Sequence, residues 1–399
     1  MYRAMGAVGI LVFLGIAFAL SESRKRVNWH TVLWGILLQF VFALVILLTK
    51  AGEALFSAAR FVFEYVIGFS DKGAAFVFGN LVNDTGVGAM IAFKVLPIII
   101  FVSSLMGVLS YLGVIQFFVV QGARIMRRSM KLSGAEALGA AFLVFMGIEA
   151  MTALRSYLRT MTRSELFTVM SAFMATIATS VMAAYASFGA QPGHLLAASV
   201  MSAPSAIVIA KLMVPETRPL ETSGNVEFRA EKTEHTIIEA AANGASVGLQ
   251  LALQIGAMLI AFVGLLWLLS SLFGLMHTSF EQVLGIVYYP FALLMGVPGN
   301  DAQLVGNLLG TRTVFNEFIA YLHMKELIAA GALSPRSVVI ATYALCGFAN
   351  FGSLAILIGG IGGIVPERKQ EVASLGIKSI VAGTLACFMT AAMAGILIP

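Results

Sequence analysis

Residues 338–364 read VVIATYALCGFANFGSLAILIGGIGGI, and this stretch indicates what kind of protein the chain forms. It has no charged side chain over a length that can cross a lipid bilayer, for which about 20 apolar residues suffice. Asn350 and Ser353 nevertheless lie in its middle, and glycines flank them on both sides. The pattern predicts a membrane helix that is broken near its centre.

The composition of the whole chain agrees with this prediction. Of 399 residues, 59% are hydrophobic and only 11% are charged, and the mean hydropathy is +0.93. A soluble domain carries roughly 25% charged residues, so this composition disfavours a soluble enzyme. The net charge of +5 comes from short basic clusters between apolar runs, which is typical of membrane orientation and not of nucleic-acid binding. We therefore expect the lipid bilayer as a partner and no nucleic acid.

Eight stretches have the length and apolarity of a membrane span. They lie at about 4–20, 31–50, 91–120, 166–188, 193–213, 246–273, 338–364 and 373–397. The first run lacks the basic start and cleavage site of a signal peptide, and Arg24–Arg26 follow it, so its amino end is predicted outside. Residues 52–86 are less hydrophobic and predict an interfacial helix followed by a loop.

Two further stretches, 135–161 and 280–330, are apolar but interrupted by polar and charged residues. The basic loops all fall on the inner side only if both stretches return to the side from which they start. We therefore predict two re-entrant hairpins. The predicted fold is an all-α polytopic membrane protein with eight spans, two hairpins, an interfacial helix and an external carboxyl end.

The two hairpins carry the most functional information. One contains Glu149 in MGIEAMTALRSYL and the other contains Glu317 in FNEFIAYL, and a span with a polar centre follows each. The pairs Thr176–Thr179 and Asn350–Ser353 are three residues apart, which predicts that each pair shares one helical face. Paired interrupted segments in two halves indicate a transporter site near the bilayer centre, where an ionisable residue is a functional candidate.

A purely structural alternative exists for each of these features. Glu149 could pair with Arg155, and Glu317 with Arg312. Asn350 and Ser353 could simply form hydrogen bonds between neighbouring helices. Catalysis is not indicated, because the five histidines are scattered and no nucleophile–base pair occurs. The two cysteines have no metal-ligand spacing, so we expect neither a cofactor nor a metal.

Several segments of the chain resemble the concentrative nucleoside transporters. They are GNLVNDTG, FKVLPIIIFVSSLMGVLSYLG, YYPFALLMGVPGNDAQLVGNLLGTRTVFNEFIAY, LSPRS and CGFANFGSLAILIGGIGG. The resemblance implies a homotrimer in which an inverted-repeat transport domain moves, as an elevator, against a trimeric scaffold. It implies ion-coupled symport of a nucleoside of the uridine, cytidine or adenosine class across the bacterial inner membrane. The alternatives are a membrane solute-binding or sensor protein of this fold, or a transporter of another ribosyl compound.

The resemblance also implies a division of the chain into five parts. These are scaffold helices with the interfacial helix (1–130), the first hairpin with its interrupted helix and span (131–213), a cytoplasmic loop (214–240), a long scaffold helix (241–279), and the second hairpin with its interrupted helix and last span (280–399).

By the same resemblance, one set of residues binds the ribose. Glu317, Asn350 and Ser353 would hydrogen-bond its hydroxyls, and Val181 and Phe348 would pack against the solute. A carboxylate that accepts from vicinal hydroxyls discriminates against analogues lacking them, because an unpaired buried acceptor is costly.

The nucleobase set departs from the family pattern. Gly147, Ile148 and Glu149 would face the base, but the family reads Gly-Gln-Ser/Thr-Glu where this chain reads Met146-Gly147-Ile148-Glu149. The side chains that would read the base are therefore replaced, whereas the ribose set is intact. This predicts a nucleoside whose base is read loosely, or another ribosyl compound.

The position of the coupling ion also departs from the family. Sodium-coupled members carry an Asn seven residues before the hairpin Glu, and here that residue is Phe142, whose ring offers no oxygen to a hard cation. Thr176 and Ile177 remain compatible with an ion. The departure favours H⁺ over Na⁺, with Glu149 as the proton carrier because its apolar neighbours disfavour the charged form.

Overall fold

The computed structural model describes residues 2–83, 86–219, 234–274 and 280–398, and every regular element within these ranges is helical. The predicted all-α membrane fold is confirmed. The first half contains α1 Tyr2–Ala19, α2 Trp29–Leu48, α3 Lys50–Phe78, α4 Val87–Met90, α5 Leu96–Tyr111, α6 Val114–Met130, α7 Gly134–Leu143, α8 Ala150–Ala153, α9 Arg155–Leu158, α10 Arg163–Ala175 and α11 Thr179–Ser187. The second half contains α12 Pro192–Met213, α13 Ile237–Gly274, α14 Phe280–Leu294, α15 Gly299–Val314, α16 Glu317–Ala329, α17 Pro335–Leu345, α18 Phe351–Ile364 and α19 Lys369–Leu397.

Seven helical segments of the described chain are long and apolar enough to cross a membrane. They are Tyr2–Ala19, Trp29–Leu48, Ile91–Tyr111, Arg163–Ser187, Pro192–Met213, Ile237–Phe273 and Pro366–Leu397. The eighth predicted span is the pair α17–α18, which the segment between Leu345 and Phe351 divides into two shorter helices. The predicted break in the middle of 338–364 is therefore present.

The third span is shorter than predicted. Residues 91–120 do not form one helix, because α5 ends at Tyr111 and Gly113 adopts a left-handed conformation with φ of 80°. Glycine adopts this conformation without steric cost and commonly terminates helices. The chain then changes direction into α6, whose carboxyl-terminal turn carries Arg127 and Arg128.

Polar contacts at one end of the molecule show that the first hairpin is re-entrant. Lys211 forms an ion pair with Glu136 near the start of α7 and donates to Ser164 Oγ near the start of α10, at 2.9 Å. At the same end, Glu22 accepts from Arg163 (3.0 Å) and from Lys378 (2.6 Å). The hairpin thus returns to the end from which it starts. Ser133 and Glu136 form a capping box at the start of α7.

The opposite end holds both termini. Arg336 donates to the carbonyls of Gly296 (3.0 Å), Gly395 (2.5 Å) and Ile398 (3.0 Å). Arg3 donates to the Ile398 carbonyl at 3.4 Å. An even number of spans brings the two termini to one side, so this contact agrees with the predicted count.

A hairpin followed by an interrupted helix and then by a span occurs twice along the chain. The two interrupted helices cross at their breaks. A Cβ at Gly347 would lie 2.8 Å from the Met174 carbonyl oxygen and 2.6 Å from Cys387 Sγ, so only glycine permits this crossing. Cys387 of α19 lies between the breaks, with Sγ 3.7 Å from the Ala175 carbonyl and 3.6 Å from the Cys346 carbonyl. The break in each helix is therefore packed against the other.

The prediction that the two polar pairs share helical faces is wrong. Thr176 terminates α10 and Thr179 begins α11, with non-helical backbone between them. Asn350 is the N-cap of α18, and its Oδ1 accepts from the Ser353 backbone N–H at 2.8 Å. The three-residue spacing in the second pair is that of a helix cap.

Candidate functional site

A cavity of about 70 Å³ lies where the two hairpins and the two interrupted helices meet. Its wall combines the first hairpin, α11, the second hairpin, α18 and one face of α13. The lining residues are Gly147, Ile148, Glu149, Phe173, Ala178, Val181, Leu251, Ile255, Met258, Asn316, Glu317, Phe318, Phe348, Asn350, Ser353 and Ile356. All eight residues predicted to bind solute therefore lie at one cavity, although they come from distant parts of the sequence.

Glu317 is the most constrained polar group at the cavity. It is the first residue of α16, where the positive end of the helix dipole favours a carboxylate. Its Oε1 accepts from Tyr185 Oη at 2.7 Å and its Oε2 accepts from Asn350 Nδ2 at 2.6 Å. An ionised carboxylate has about four acceptor positions, so each oxygen can accept one more hydrogen bond.

Asn350 and Asn316 fix the two helix starts that face the cavity. Asn316 caps α16, with its Oδ1 accepting from the Ile319 N–H at 2.9 Å, as Asn350 caps α18. Both caps hold their side-chain oxygen against the backbone, which in Asn350 directs the amide nitrogen towards Glu317. The second N–H of that amide and the Ser353 hydroxyl remain as donors at the cavity.

The structural alternative for Glu317 does not hold. Arg312 is fully buried, but it donates to the Ala344 carbonyl (2.5 Å) and to Thr384 Oγ1 (3.0 Å), and its guanidinium lies over the ring of Phe388. It thus binds the end of α17 and the side of α19. No ion pair between Arg312 and Glu317 occurs in the described chain.

The first hairpin contributes backbone and a carboxylate to the cavity, as its sequence suggested. A Cβ at Gly147 would lie 3.1 Å from Glu149 Oε2 and 3.3 Å from the Ala178 Cβ, so the absence of a side chain there lets the carboxylate lie against the hairpin. Ile148 packs closely on Gly360 of α18. Glu149 forms no ion pair with Arg155, which is exposed, in the part of the chain that the structure describes.

The groups around the expected ion position already form hydrogen bonds within the protein. The Phe145 carbonyl accepts from the Thr179 N–H (3.1 Å) and from its hydroxyl (2.9 Å). Thr176 Oγ1 donates to the Ala172 carbonyl at 2.8 Å, and Phe142 is buried. The arrangement therefore leaves few free oxygens for a hard cation, and no group of metal-ligating side chains occurs among the described residues.

Sequence reasoning missed Tyr185 and the wall formed by α13. Tyr185 is fully buried, bonds to Glu317 and stacks on Tyr321 with ring centroids 4.4 Å apart. It follows Val181 by one helical turn, a spacing that could have identified it. Phe351, which also flanks Asn350, is 51% exposed and is not among the residues that line the cavity.

The comparisons with known proteins cover the chain from end to end. Residues 8–81 match the Na⁺ dependent nucleoside transporter N-terminus, and residues 194–395 match the Na⁺ dependent nucleoside transporter C-terminus. Between them, residues 92–192 match the Gate family, described as nucleoside recognition. The three matched regions succeed one another in the order of the fold.

Individual relatives and a solved structure agree with these matches. Solute carrier family 28 member 3 of Eptatretus stoutii is 42% identical over 98% of this chain, and the chain spans 60% of that relative's length. The nucleoside permease NupC of Helicobacter pylori is 36% identical, over 98% of this chain and 97% of its own. The structure of CNTnw in an inward-facing substrate-bound state superposes with a TM-score of 0.94 at 37% identity, over 100% of this chain and 99% of that chain. These relatives are transporters and not enzymes, and the chain belongs to the concentrative nucleoside transporter family.

Proposed function

We propose that the protein is a secondary active transporter that imports a nucleoside by ion-coupled symport. The observation that carries the proposal is the carboxylate of Glu317, held at the cavity by Tyr185 and Asn350. Within a membrane a buried carboxylate is costly, which makes Glu317 a functional candidate by default. Its free acceptor positions and the nearby Asn350 and Ser353 donors match the vicinal hydroxyls of a ribose.

The nucleobase is bound mainly by shape and apolar contact in this proposal. Phe348 and Val181 line the cavity, and Phe173 packs on Phe348 with ring centroids 5.5 Å apart. Gly147 and Ile148 offer no side-chain hydrogen bond to distinguish one base from another. We therefore expect the protein to accept uridine, cytidine and adenosine with similar affinity, but to require the ribose hydroxyls.

The proposed coupling ion is H⁺ carried by Glu149. Support comes from the internal hydrogen bonds of Thr176, Thr179 and the Phe145 carbonyl, which occupy groups that would otherwise bind an ion. Phe142 adds an apolar ring at the same place. The alternative coupling ion is Na⁺, because the matched family is described as Na⁺ dependent. The transport assay distinguishes the two ions.

The proposed mechanism is an elevator in which the polar site moves past α13. This helix contributes only apolar side chains to the cavity, namely Leu251, Ile255 and Met258. The cavity, at about 70 Å³, is smaller than the roughly 300 Å³ of typical ligand pockets. One of its walls must therefore move when a solute binds. A homotrimer in the bacterial inner membrane completes the proposal, supported by family membership and by bacterial relatives.

The test is uptake of radiolabelled uridine, adenosine and ribose into proteoliposomes under an imposed proton or sodium gradient. We expect nucleoside uptake that depends on the proton gradient, persists when choline replaces sodium, and is abolished in Glu317→Gln. Glu326→Gln is the matched control, because Glu326 lies on the same helix but is exposed.

Two outcomes would contradict the proposal. Uptake that follows the sodium gradient alone would replace H⁺ by Na⁺. Folded protein that binds a nucleoside but moves none under either gradient would favour the membrane solute-binding or sensor protein.

A further inference from the structure

A second cavity, of about 190 Å³, adjoins the first at the first hairpin. Gly147, Glu149 and Ala178 line both cavities, so the Glu149 carboxylate lies between them. The second cavity continues along α5 and α13 as far as Glu234, next to the charged connector that the sequence predicts on the inner side. Glu149 therefore borders a space that leads towards one end of the molecule.

The walls of the second cavity carry polar side chains without protein partners. Ser103 of α5, Ser180 of α11 and Asn243 of α13 form no side-chain hydrogen bond in the described chain, although all three line the cavity. Ser103 and Ser180 are buried within the protein. Their hydroxyl oxygens are not among the fully enclosed, unpartnered atoms of the described chain, so both open onto the cavity, where water can bond to them.

The dimensions of the cavity allow this hydration. One buried water molecule needs a cavity volume of only about 10–15 Å³ and two to four polar partners. The volume of the second cavity exceeds this requirement many times. Irregular or polar surface at membrane depth is tolerated where it lines a water-filled space. The first cavity is smaller and its wall on α13 is apolar, so the two cavities differ in character.

Few charged groups face Glu149. Among the residues that the structure describes, the other titratable side chains lining the two cavities are Glu317 in the first and Glu234 in the second, and none of the lining residues is basic. Helix α18, which packs on α8, carries no charged residue. A proton donor or acceptor for Glu149 other than these carboxylates must therefore enter through the second cavity, whose volume admits water.

We propose that the second cavity is a water-filled chamber through which the coupling proton passes between Glu149 and the inner side, along Ser180, Ser103 and Asn243. The step is a proton transfer only: the Glu149 carboxylic acid loses its proton to a water molecule, which becomes hydronium, and the carboxylate remains. This inference rests on the proposed function, and it assigns the polar groups of the chamber to the proton and not to the solute.

The test compares two kinds of flux in proteoliposomes containing the double variant Ser180→Ala and Asn243→Leu. These changes remove hydrogen-bonding groups and add no heavy atom, since Leu has the branched outline of Asn, so a solute that passed here should still pass. We expect nucleoside-driven proton uptake, followed with a trapped pH-sensitive dye, to fall at least tenfold. Exchange of labelled for unlabelled uridine, which needs no net proton release, should stay within about twofold of wild type.

The control is Ser187→Ala, on the same helix as Ser180 but with its hydroxyl bonded to the Ala183 carbonyl and outside the chamber. A double variant with wild-type proton uptake would overturn the inference alone, as would an equal loss of proton uptake and exchange. Wild-type protein that moves no nucleoside would overturn the proposed function, and the inference with it.

A labelling measurement tests hydration separately and does not depend on transport. Ser180→Cys should react with a membrane-impermeant methanethiosulfonate added from the inner side, whereas the native Cys346 and Cys387, both fully buried, should not. Absence of labelling from either side in folded protein would show a dry cavity and overturn the inference.

Discussion

At the scale of single residues, the site depends on how Glu317 is oriented. Two donors from different elements, Tyr185 of α11 and Asn350 of α18, each hold one of its oxygens. Neither contact is local in sequence, since 132 and 33 positions separate the partners. The carboxylate is therefore positioned only when both repeats are folded together.

We predict that Tyr185→Phe weakens solute recognition without preventing folding. The change removes one hydrogen bond to a charged acceptor, which contributes about 1.5–3 kcal/mol, and leaves the aromatic stacking on Tyr321 in place. The KM for uridine should rise by roughly 10- to 100-fold, as measured by initial rates of uptake. Tyr343→Phe is the control, because Tyr343 is equally buried but bonds to His194 away from the cavity. Equal KM values for the two variants would contradict a positioning role for Tyr185.

At the scale of elements, a carboxylate near the start of each hairpin binds the start of an interrupted helix. In the first repeat Glu136 and Ser164 are joined through Lys211. In the second, Asp301 Oδ2 accepts from the Ser334 N–H (3.0 Å), from the Ser334 hydroxyl (2.6 Å) and from the Ser337 hydroxyl (2.6 Å). These contacts keep each hairpin and its interrupted helix together as one unit.

We expect Lys211→Met to destabilise the protein strongly. The Lys211 and Glu136 side chains are 9% and 1% exposed, so the substitution leaves a buried carboxylate without its partner, at a cost of about 3–5 kcal/mol. Thermal unfolding in detergent measures the loss. The double variant Lys211→Met with Glu136→Gln should recover much of it, because no charge is then left unpaired. A double variant less stable than the single one would contradict this account.

The crossing of the two interrupted helices gives a second prediction at this scale. Gly347→Ala should lower the melting temperature and the yield of folded protein, because the added methyl group would overlap Cys387 Sγ and the Met174 carbonyl. Gly363→Ala is the matched control on α18, since nothing lies within 4 Å of its Cβ position. Alanine there should be neutral or stabilise the helix by up to about 1 kcal/mol. Unchanged melting temperature and yield in both variants would show that the two interrupted helices are not in close contact at Gly347.

At the scale of the whole molecule, α1 and α2 pack with the second repeat. Gln39 of α2 donates to Thr390 Oγ1 of α19 at 3.0 Å, and Phe13 of α1 packs on Phe388 with ring centroids 5.8 Å apart. The predicted division assigns residues 1–130 to the scaffold. These buried contacts favour a division in which α1 and α2 move with the transport unit, whereas α5 packs along α13.

The ion pairs at the inner end predict a dependence of stability on pH. Hydrogen bonds from Arg163, and then from Lys378, lower the pKa of Glu22 below its ordinary value of 4.5. Because the pKa is lower in the folded state, the stabilising contribution of the ionised Glu22 carboxylate is complete above pH 4.5. It is lost as the pH falls towards the lowered pKa. Because Glu22 is partly exposed, the effect is small, on the order of 0.5 kcal/mol.

Thermal unfolding between pH 6 and pH about 3.5 checks this expectation. As the pH falls across this range, the wild-type protein should lose its greater thermal stability relative to Glu22→Gln. The melting temperatures of the two proteins should therefore converge at low pH. Glu64→Gln is the control, because Glu64 pairs with Arg60 on the exposed surface of α3. A difference between wild type and Glu22→Gln that stays constant with pH would contradict the role of the carboxylate.

The sequence by itself determined the membrane class, the number of spans, the two hairpins and the solute-binding candidates. These depend on the local length of apolar runs, on the placement of charges and on motifs of adjacent residues. Residues 338–364 alone predicted a broken span, because polar residues and glycines lie together in the middle of an apolar run.

Only the tertiary structure decided how the breaks cross and which residues complete the site. Tyr185, Cys387 and the wall of α13 act through contacts between segments that are far apart in sequence, and no local pattern specifies such contacts. The helical-face prediction for Thr176 and Thr179 was wrong for the same reason. The Thr179 N–H and hydroxyl donate to the Phe145 carbonyl of the hairpin, and these bonds from outside the helix stabilise the break.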